Sequence, residues 1–382
     1  MRMREFGRLG FTTSLFGLGC MRFPQQETVE GTQVDVEEAI KMIRYGIDHG
    51  VNYVDTAYDY HQGESEVILG RALQDGYRAR TKIATKLPLW RVKTIEDCRR
   101  LFQEQLRRLQ VDYVDFYLLH ALNAERWQLV KDLNILAFLE EMVAAGKIRH
   151  LGFSFHDELP VFKKIIDAYP WAMCQIQLNI LDDQIQAGVE GLQYAGAKGI
   201  PVVIMEPLKG GKLAQRIPAD VQALWSEAPV KRSPVEWAFC WLYNFPEVTV
   251  ILSGVSSMAQ LQDNLRIFAG AKPQVMTEEE LKLVQKVKDL YLSKNKVACT
   301  GCEYCLPCAQ GVAIPRVFSL YNNAFIYDDR AGSVSSYRDL KKEENDASHC
   351  IVCGACEAAC PQQLPITTLL KEAHQFLTPT DS

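Results

Sequence analysis

A chain of 382 residues is long enough for two or three domains, or for one large barrel with an appended domain. Its 42 Lys and Arg residues nearly balance its 47 Asp and Glu residues, and the net charge of −5 argues against nucleic acid or an anionic membrane as a partner. No apolar run approaches the roughly 18 residues of a membrane span, and the first residues lack the apolar core of a signal peptide. These features predict a cytoplasmic protein.

Short apolar strands alternate with amphipathic helices along the first two thirds of the chain, after a glycine-rich opening that predicts a hairpin. The predicted strands are 15–20, 51–55, 81–86, 111–119, 147–154, 173–178, 200–205 and 248–254, and the predicted helices are 36–49, 64–73, 95–109, 133–145, 159–168, 185–198, 234–243 and 258–269. Parallel strands need helical crossovers, and eight such units in roughly 260 residues close a (β/α)8 TIM barrel. A doubly wound sheet is the alternative, but the glycine-rich phosphate turn that normally marks one is missing from the sequence. Further helices are predicted at 277–292 and 315–327.

Polar side chains stand at the carboxyl ends of three neighbouring predicted strands, where (β/α)8 barrels carry out their chemistry. Asp55 ends the second strand and Tyr60 lies in the loop after it, while Lys86 ends the third strand. His120 follows the fourth strand. A Lys ammonium lowers the pKa of a nearby Tyr phenol, an Asp would hold that Lys charged, and a neutral His would orient a carbonyl oxygen. Each residue alone is more often a structural group or a solvated loop charge, and Tyr58 competes with Tyr60 on composition.

Eight of the twelve cysteines form two runs near the C-terminus, Cys299, Cys302, Cys305 and Cys308, then Cys350, Cys353, Cys356 and Cys360. The second run has the C-x2-C-x2-C-x3-C-P spacing of bacterial [4Fe–4S] segments, in which three close thiolates bind one cube and the fourth binds the other. Two clusters are therefore predicted, one on Cys299, Cys302, Cys305 and Cys360, and one on Cys350, Cys353, Cys356 and Cys308. A disulfide framework needs an oxidising compartment, and structural zinc usually takes two C-x2-C pairs. The first run departs from the usual spacing at its end, where Ala309 replaces a proline.

The segment DTAYDYHQGESEVILGRAL resembles the signature of the aldo-keto reductase superfamily, and ATK, LLH, GKIRHLGFS and SGVSSMAQLQDNL follow in the family's order. With both cysteine runs, the chain resembles the subgroup that carries a C-terminal 4Fe-4S dicluster domain of the ferredoxin type. The resemblance implies an NADP(H)-dependent oxidoreductase whose catalytic residues are Asp55, Tyr60, Lys86 and His120, and it selects Tyr60 over Tyr58. We predict a barrel at residues 1–275, a connecting helix at 276–296 and a small, mainly helical dicluster domain at 297–382.

The sequence matches the family's nucleotide-binding positions less completely than its catalytic positions. Ser154 and Gln175 match the residues that hold the nicotinamide carboxamide, although Phe155 stands where an Asn is common. The other matches are Pro207, Leu208 and Gly210 after the seventh strand, and Gly254, Ser256, Gln260 and Asn264 after the eighth. Gly254 and Gln260 replace the Lys and Arg with which many relatives bind the 2′-phosphate of NADPH, so NAD(H) is the alternative cofactor.

Three functions follow from the two halves of the chain. The first, which we favour, is the NAD(P)H-dependent reduction of a small carbonyl, or alcohol oxidation in reverse, with two clusters for electron transfer or redox coupling. The second is an electron-transfer protein that serves a ferredoxin-like partner and whose barrel binds a ligand without nicotinamide turnover. The third is a nucleotide-sensing module, against which the full set of four polar residues argues. Hydride transfer moves two electrons whereas a cube exchanges one, and the sequence indicates no flavin to join them.

Overall fold

The chain folds into two units, which the computed structural model describes over residues 1–28, 31–215, 217–299, 301 and 303–378. The first unit comprises Met1–Gly210 and Val235–Thr277, and the second comprises Gly211–Pro234 and the chain from Glu278 onward. Within the described residues, every helix falls short of the length and apolar character that a membrane crossing requires.

Two antiparallel hairpins flank the first strand of the barrel. Strand β1 (Met3–Glu5) pairs with β2 (Thr12–Ser14), and β4 (Gln25–Thr28) pairs with β5 (Gly31–Val34). The first hairpin was predicted from its glycines. The second was not predicted, because its strand residues are polar and largely exposed and so lack the alternation of a half-buried strand.

Eight parallel strands close a barrel in the first unit, which confirms the predicted fold. In order around the barrel they are β3 (Phe16–Gly19), β6 (Tyr53–Asp55), β7 (Lys82–Leu87), β8 (Val114–Leu122), β9 (Ile148–Phe155), β10 (Met173–Gln177), β11 (Val202–Met205) and β12 (Val248–Ser253). The helices of this unit are α1 (Val36–Asp48), α2 (Glu64–Ala72), α3 (Ile95–Leu109), α4 (Ala124–Asp132), α5 (Ile135–Ala144), α6 (Leu159–Ala168), α7 (Gly188–Ala197), α9 (Pro234–Asn244, from Val235) and α10 (Met258–Ala269). Helix α4 was not predicted.

Aromatic side chains close the end of the barrel at which the strands begin. Phe6, between β1 and β2, is fully buried, and its ring centroid lies 4.7 Å from that of Phe116 and 6.1 Å from that of Tyr53. Tyr53 is the first residue of β6. Since this end is filled by apolar packing, polar chemistry is left to the end at which the strands finish.

Gly17 lies in β3 at a point where the barrel has no room for a side chain. A methyl group there would lie 2.6 Å from Val250 Cγ1 and 2.7 Å from Leu252 Cδ2, whereas a methyl group at Gly19 would find its nearest atom at 3.5 Å. We expect Gly17→Ala to lower the free energy of unfolding by about 1–3 kcal/mol and Gly19→Ala to leave it nearly unchanged. Denaturant unfolding of this matched pair measures both values, and equal losses would contradict the packing argument.

The second unit is helical, with α8 (Ala219–Glu227), α11 (Glu278–Ser293), α12 (Ile314–Ile326), α13 (Arg330–Lys342), α14 (Ala355–Ala359) and α15 (Ile366–Leu377). The helices predicted at 277–292 and 315–327 are present as α11 and α12, while α8, α13, α14 and α15 were not predicted. The core of this unit contains Val317, Phe318, Leu340 and Leu370, and cysteines of both runs pack against it.

Helix α11 contacts α8 within the second unit, and Lys294 Nζ donates to Asp220 Oδ1 at 2.8 Å. Residues 211–234, which the sequence analysis assigned to the barrel, thus share contacts with the C-terminal helices. The boundaries 1–275 for the barrel, 276–296 for the connecting helix and 297–382 for the dicluster domain stay a prediction.

Candidate active site and iron–sulfur sites

Three of the predicted catalytic residues meet where β6 and β7 end. Lys86 Nζ donates to Asp55 Oδ1 at 2.6 Å and to the carbonyl oxygen of Thr56 at 2.7 Å, and it lies 3.5 Å from the hydroxyl of Tyr60. The side chains of Lys86 and Asp55 are only 1% and 3% exposed. A charge pair this deeply buried requires close geometry, because attraction must offset the loss of hydration.

Burial and attraction compete in setting the pKa values of this group. Burial lowers the pKa of Lys86, but attraction to Asp55 and Tyr60 outweighs it, and the pKa of Lys86 is raised above its ordinary value. For Tyr60, burial raises the pKa of the phenol more than Lys86 lowers it. Lys86 lowers the pKa of Tyr60, as predicted, but burial outweighs it. The prediction that the pKa of Tyr60 lies below its ordinary value is therefore wrong. Tyr60 is therefore a protonated phenol at neutral pH, which is the form that donates a proton.

His120 lies beside Tyr60, with ring centroids 6.2 Å apart and the rings nearly perpendicular. Burial, with the positive charges of Lys86, His156 and Arg126, holds the pKa of His120 well below its usual value. Its Nδ1 is buried and has no hydrogen-bond partner among the described residues. The imidazole is thus neutral at physiological pH and carries one N–H donor.

The low pKa of His120 makes a contribution to stability that depends on pH. Below about pH 6.5 the unfolded chain binds a proton at His120 that the folded chain does not, so the free energy of unfolding falls with decreasing pH. This residue contributes up to about 1.4 kcal/mol per pH unit to that fall and nothing at higher pH. We expect His120→Gln to flatten the decline between pH 7 and 5.5 in chemical denaturation.

A bulge in β8 directs His120 toward the site. The fourth strand was predicted to end at residue 119, but β8 continues to Leu122, and its register with β9 shifts between Leu119 and Leu122. Ala121 has a φ of 53°, and its amide donates to Ser154 Oγ at 2.8 Å. Bulges beside active sites commonly re-aim a side chain. The prediction was short because the change from apolar residues to His120 has the same pattern as a strand end.

A buried polar network lies behind Lys86, and sequence reasoning missed it. Gln105 Nε2 donates to Glu66 Oε1 at 2.7 Å and to the backbone carbonyl of Lys86 at 3.0 Å. Tyr117 donates to Gln105 Oε1 at 2.7 Å. These bonds tie α2, α3 and β8 to the strand that carries Lys86. One sequence signal could have revealed this network, namely polar residues on the core-facing sides of α2 and α3, where apolar residues are the norm.

The carboxamide positions suit an amide ligand. Ser154 and Gln175 are each 1% exposed. Gln175 Oε1 is buried with no hydrogen-bond partner among the described residues, and Ser154 Oγ accepts from Ala121 while keeping a proton to donate. A buried acceptor without a partner costs free energy unless a ligand donor completes it. The pair therefore fits a nicotinamide carboxamide, which offers both a donor and an acceptor.

The loops after β11 and β12 hold the remaining predicted nucleotide positions. Pro207 and Leu208 follow β11, and Gly210 has a φ of 66° in the turn after them. The amide of Ser256 donates to Gln260 Oε1 at 2.9 Å, so Gln260 closes its own loop. The remaining position is Asn264, which donates to Ser253 Oγ at 3.1 Å and is buried.

Arg22, which the sequence analysis did not single out, contacts both of these loops. A methyl group on Gly254 would lie 2.7 Å from Arg22 Cγ, and one on Gly210 would lie 3.4 Å from Arg22 Nη2. Ser256 Oγ also donates to the Arg22 carbonyl at 2.9 Å. Arg22 thus brings a guanidinium to a region where Gly254 and Gln260 supply no charge. A single Arg in a loop has no distinctive sequence pattern, so only the fold reveals this position.

Seven of the eight cluster cysteines lie in the described residues, and Cys302 lies outside them. One cavity of about 20 Å³ is lined by Cys299, Cys305 and Cys360. A second cavity of about 240 Å³ is lined by Cys305, Cys308, Cys350, Cys353 and Cys356. Cys360, the last cysteine of the second run, therefore lines a cavity with cysteines of the first run. Cys308, the last cysteine of the first run, lines the other cavity with three cysteines of the second run. Cys305 borders both cavities.

Apolar side chains share the walls of both cavities with these thiols. Apolar Ile314 borders both cavities, with Phe318 at the first and Leu370 at the second, which is the kind of wall that shields a cluster from water.

Comparisons with known proteins confirm the family resemblance and the fold. The chain matches the Aldo/keto reductase family over residues 16–289 and the 4Fe-4S dicluster domain over residues 298–365. It belongs to the aldo-keto reductase family and is an oxidoreductase with a C-terminal dicluster domain. The dicluster match favours iron–sulfur chemistry over the zinc and disulfide alternatives.

The individual relatives cover about three quarters of this chain. The uncharacterized oxidoreductase YqkF of Bacillus subtilis (strain 168) is 27% identical over an alignment of 324 positions, which covers 76% of this chain and 98% of YqkF. The holo form of aldo-keto reductase AKR11C1 from Bacillus halodurans is 27% identical, with a TM-score of 0.62 over 75% of this chain and 96% of that one. An aldo-keto reductase from Klebsiella pneumoniae, solved in complex with NADPH, shares the fold at 22% identity, with a TM-score of 0.61 over 75% of this chain and 96% of its own.

Proposed function

We propose that the barrel reduces small aldehydes or ketones with a nicotinamide cofactor, using Asp55, Tyr60, Lys86 and His120, and that it oxidises alcohols in reverse. The observation that carries this proposal is the placement of Lys86 Nζ between Asp55 Oδ1, at 2.6 Å, and the Tyr60 hydroxyl, at 3.5 Å. A structural ion pair would have no need of a phenol and a neutral imidazole at the mouth of a barrel.

Each catalytic residue has a separate task in this proposal. A bound nicotinamide supplies the hydride that the carbonyl carbon accepts. Tyr60 donates its proton to the carbonyl oxygen as negative charge develops there, and Lys86 stabilises the phenolate that remains. Asp55 keeps Lys86 charged and in place. His120 donates a hydrogen bond from its protonated ring nitrogen to the same oxygen, which fixes the carbonyl beside Tyr60.

Nucleotide binding would use residues of four strands and their loops. Ser154 and Gln175 would hold the carboxamide, and the loops after β11 and β12 would hold the phosphates and the adenosine, with the guanidinium of Arg22 beside them. The family resemblance makes NADP(H) the first choice, and NAD(H) is the alternative because Gly254 and Gln260 carry no charge. The ratio of kcat/KM for NADPH and NADH decides between them.

The second unit would hold two [4Fe–4S] clusters in the crossed arrangement predicted from spacing. Support comes from the two cavities, in which Cys360 accompanies Cys299 and Cys308 accompanies Cys350. Exposed thiolates and air-sensitive cubes suit the reducing cytoplasm. The clusters would serve electron transfer or redox coupling. Each cube exchanges one electron at a time and so does not complete a two-electron hydride transfer alone.

An electron-transfer protein is the second candidate function, and the surface around Cys353 favours it. Cys353 is exposed, and its neighbours Ile351 and Val352 are 63% and 70% exposed, while Tyr304 is 68% exposed. Exposed apolar residues beside a redox centre suit a transient contact with a ferredoxin-like partner.

Two measurements on anaerobically purified protein separate these functions. Steady oxidation of NADPH by small aldehydes supports the reductase. Reduction of the clusters by a ferredoxin, without any nicotinamide-dependent turnover, supports the electron-transfer protein. Titration with NADPH adds a third result, because loss of visible cluster absorbance would show that the two halves exchange electrons.

A further inference from the structure

Arg126 lies in the first turn of α4, next to the candidate active site. Its Nη1 donates to the carbonyl of Ala121 at 2.7 Å, and its Cζ lies 5.3 Å from the centre of the Trp90 ring. The Trp90 ring centroid in turn lies 4.8 Å from that of His120. The guanidinium is therefore held one aromatic ring away from the imidazole that orients the carbonyl.

Arg126 has no counter-charge within the part of the chain that the structure describes. Its guanidinium has only the Ala121 carbonyl and the Trp90 ring as partners there. Asp59 is engaged elsewhere, since it pairs with Arg91 at 2.7 Å and accepts from Trp90 Nε1 at 2.9 Å.

Another acid, Asp157, uses its two oxygens on backbone amides. Oδ2 accepts from Ala124 and Oδ1 accepts from Glu158, each at 2.7 Å. A guanidinium carries five N–H donors in a fixed plane. Arg126 therefore keeps N–H groups for which the described residues supply no acceptor.

Besides burial, three basic side chains lower the pKa of His120, namely Lys86, His156 and Arg126. Lys86 is neutralised by its contact with Asp55. Glu206 raises the pKa of His156, though burial lowers it more. Arg126 thus brings a positive charge to the mouth that no carboxylate among the described residues pairs.

We infer that the substrate is an oxo acid, whose carboxylate Arg126 binds while Tyr60 and His120 hold its carbonyl oxygen. This inference rests on the proposed reductase function. A planar guanidinium matches a carboxylate through two parallel hydrogen bonds, which a neutral substrate cannot form. Trp90 would lie along the short carbon chain that separates the two groups.

A matched pair of substrates tests the inference on the intact, anaerobically purified protein with NADPH. 4-Oxobutanoate and butanal have the same chain length and differ in the carboxylate. We expect kcat/KM for 4-oxobutanoate to exceed that for butanal at least about 10-fold. Arg126→Met should raise KM for 4-oxobutanoate about 10- to 100-fold more than it raises KM for butanal.

Two further variants serve as comparisons. Arg126→Lys keeps the positive charge but loses the planar guanidinium, so its KM for 4-oxobutanoate should lie between those of the wild type and Arg126→Met. Arg99→Met removes an Arg that pairs with Glu141 at 2.7 Å and should change neither substrate.

Failure of the inference is distinguishable from failure of the reductase function. Equal turnover of both substrates, with Arg126→Met affecting them together, would overturn the oxo acid and leave the reductase intact. If neither substrate is reduced, calorimetry with succinate decides, because this dicarboxylate needs no turnover. Binding of succinate that Arg126→Met abolishes would support the anion site, and no binding to the wild type would refute it.

Discussion

Tyr60→Phe should lower kcat for the NADPH-dependent reduction of an aldehyde by about 100- to 10,000-fold, with little change in the affinity for the nucleotide. The substitution removes one hydroxyl, which lies 3.5 Å from Lys86 Nζ. The phenol is the proton donor of the proposed mechanism, and its pKa is raised by burial, so Tyr60 remains protonated over the neutral range. Loss of the donor therefore removes proton transfer while the hydride site stays in place.

Tyr58→Phe is the matched control for this experiment. Tyr58 is also buried near the site, but its ring packs under Arg108, whose Cζ lies 4.1 Å from the ring centre. Because that contact uses the ring and not the hydroxyl, Tyr58→Phe should keep kcat within about 2-fold of the wild type. Steady-state kinetics and a nucleotide titration measure both effects. Full activity of Tyr60→Phe would refute the assignment, and equal losses in the two variants would point to a structural cause.

Paired cysteine substitutions should reveal which thiolates share a cluster. The wild type should contain about eight iron and about eight sulfide per chain after anaerobic purification. Cys299→Ala and Cys360→Ala remove ligands of the same cube in the crossed arrangement, so the double variant should keep about four iron, like each single variant. Cys356→Ala combined with Cys360→Ala removes ligands of different cubes and should leave almost none.

The reverse outcome would show that each run binds its own cube. In that case the Cys299/Cys360 double variant would lose nearly all iron, while the Cys356/Cys360 double variant would keep about half. Cys98→Ala serves as the control, because Cys98 is a buried thiol of α3 in the barrel and should leave the iron content unchanged. The cavities favour the crossed result, since Cys360 lies with Cys299 and Cys305.

Local patterns determined the architecture of both halves. Alternation of apolar strands with amphipathic helices depends on residues close in sequence, so the eight strands of the barrel and the helices α11 and α12 were predictable. Cysteine spacing is also local, and it indicated a dicluster domain. Elements that are short or have weak or polar periodicity were missed, namely the β4–β5 hairpin and helices α4, α8, α13, α14 and α15.

Only the tertiary structure decided how the site residues act on one another. Asp55, Tyr60 and Lys86 could be selected at strand ends, but the sign of the pKa shift of Tyr60 depends on burial by the whole barrel and was predicted wrongly. Gln105, Arg22 and Arg126 reach the site from helices and loops whose positions follow from barrel closure. Periodicity in sequence records which face of an element is apolar, whereas distances, burial and unpaired charge arise from all the elements together, and chemistry at this site depends on those three quantities.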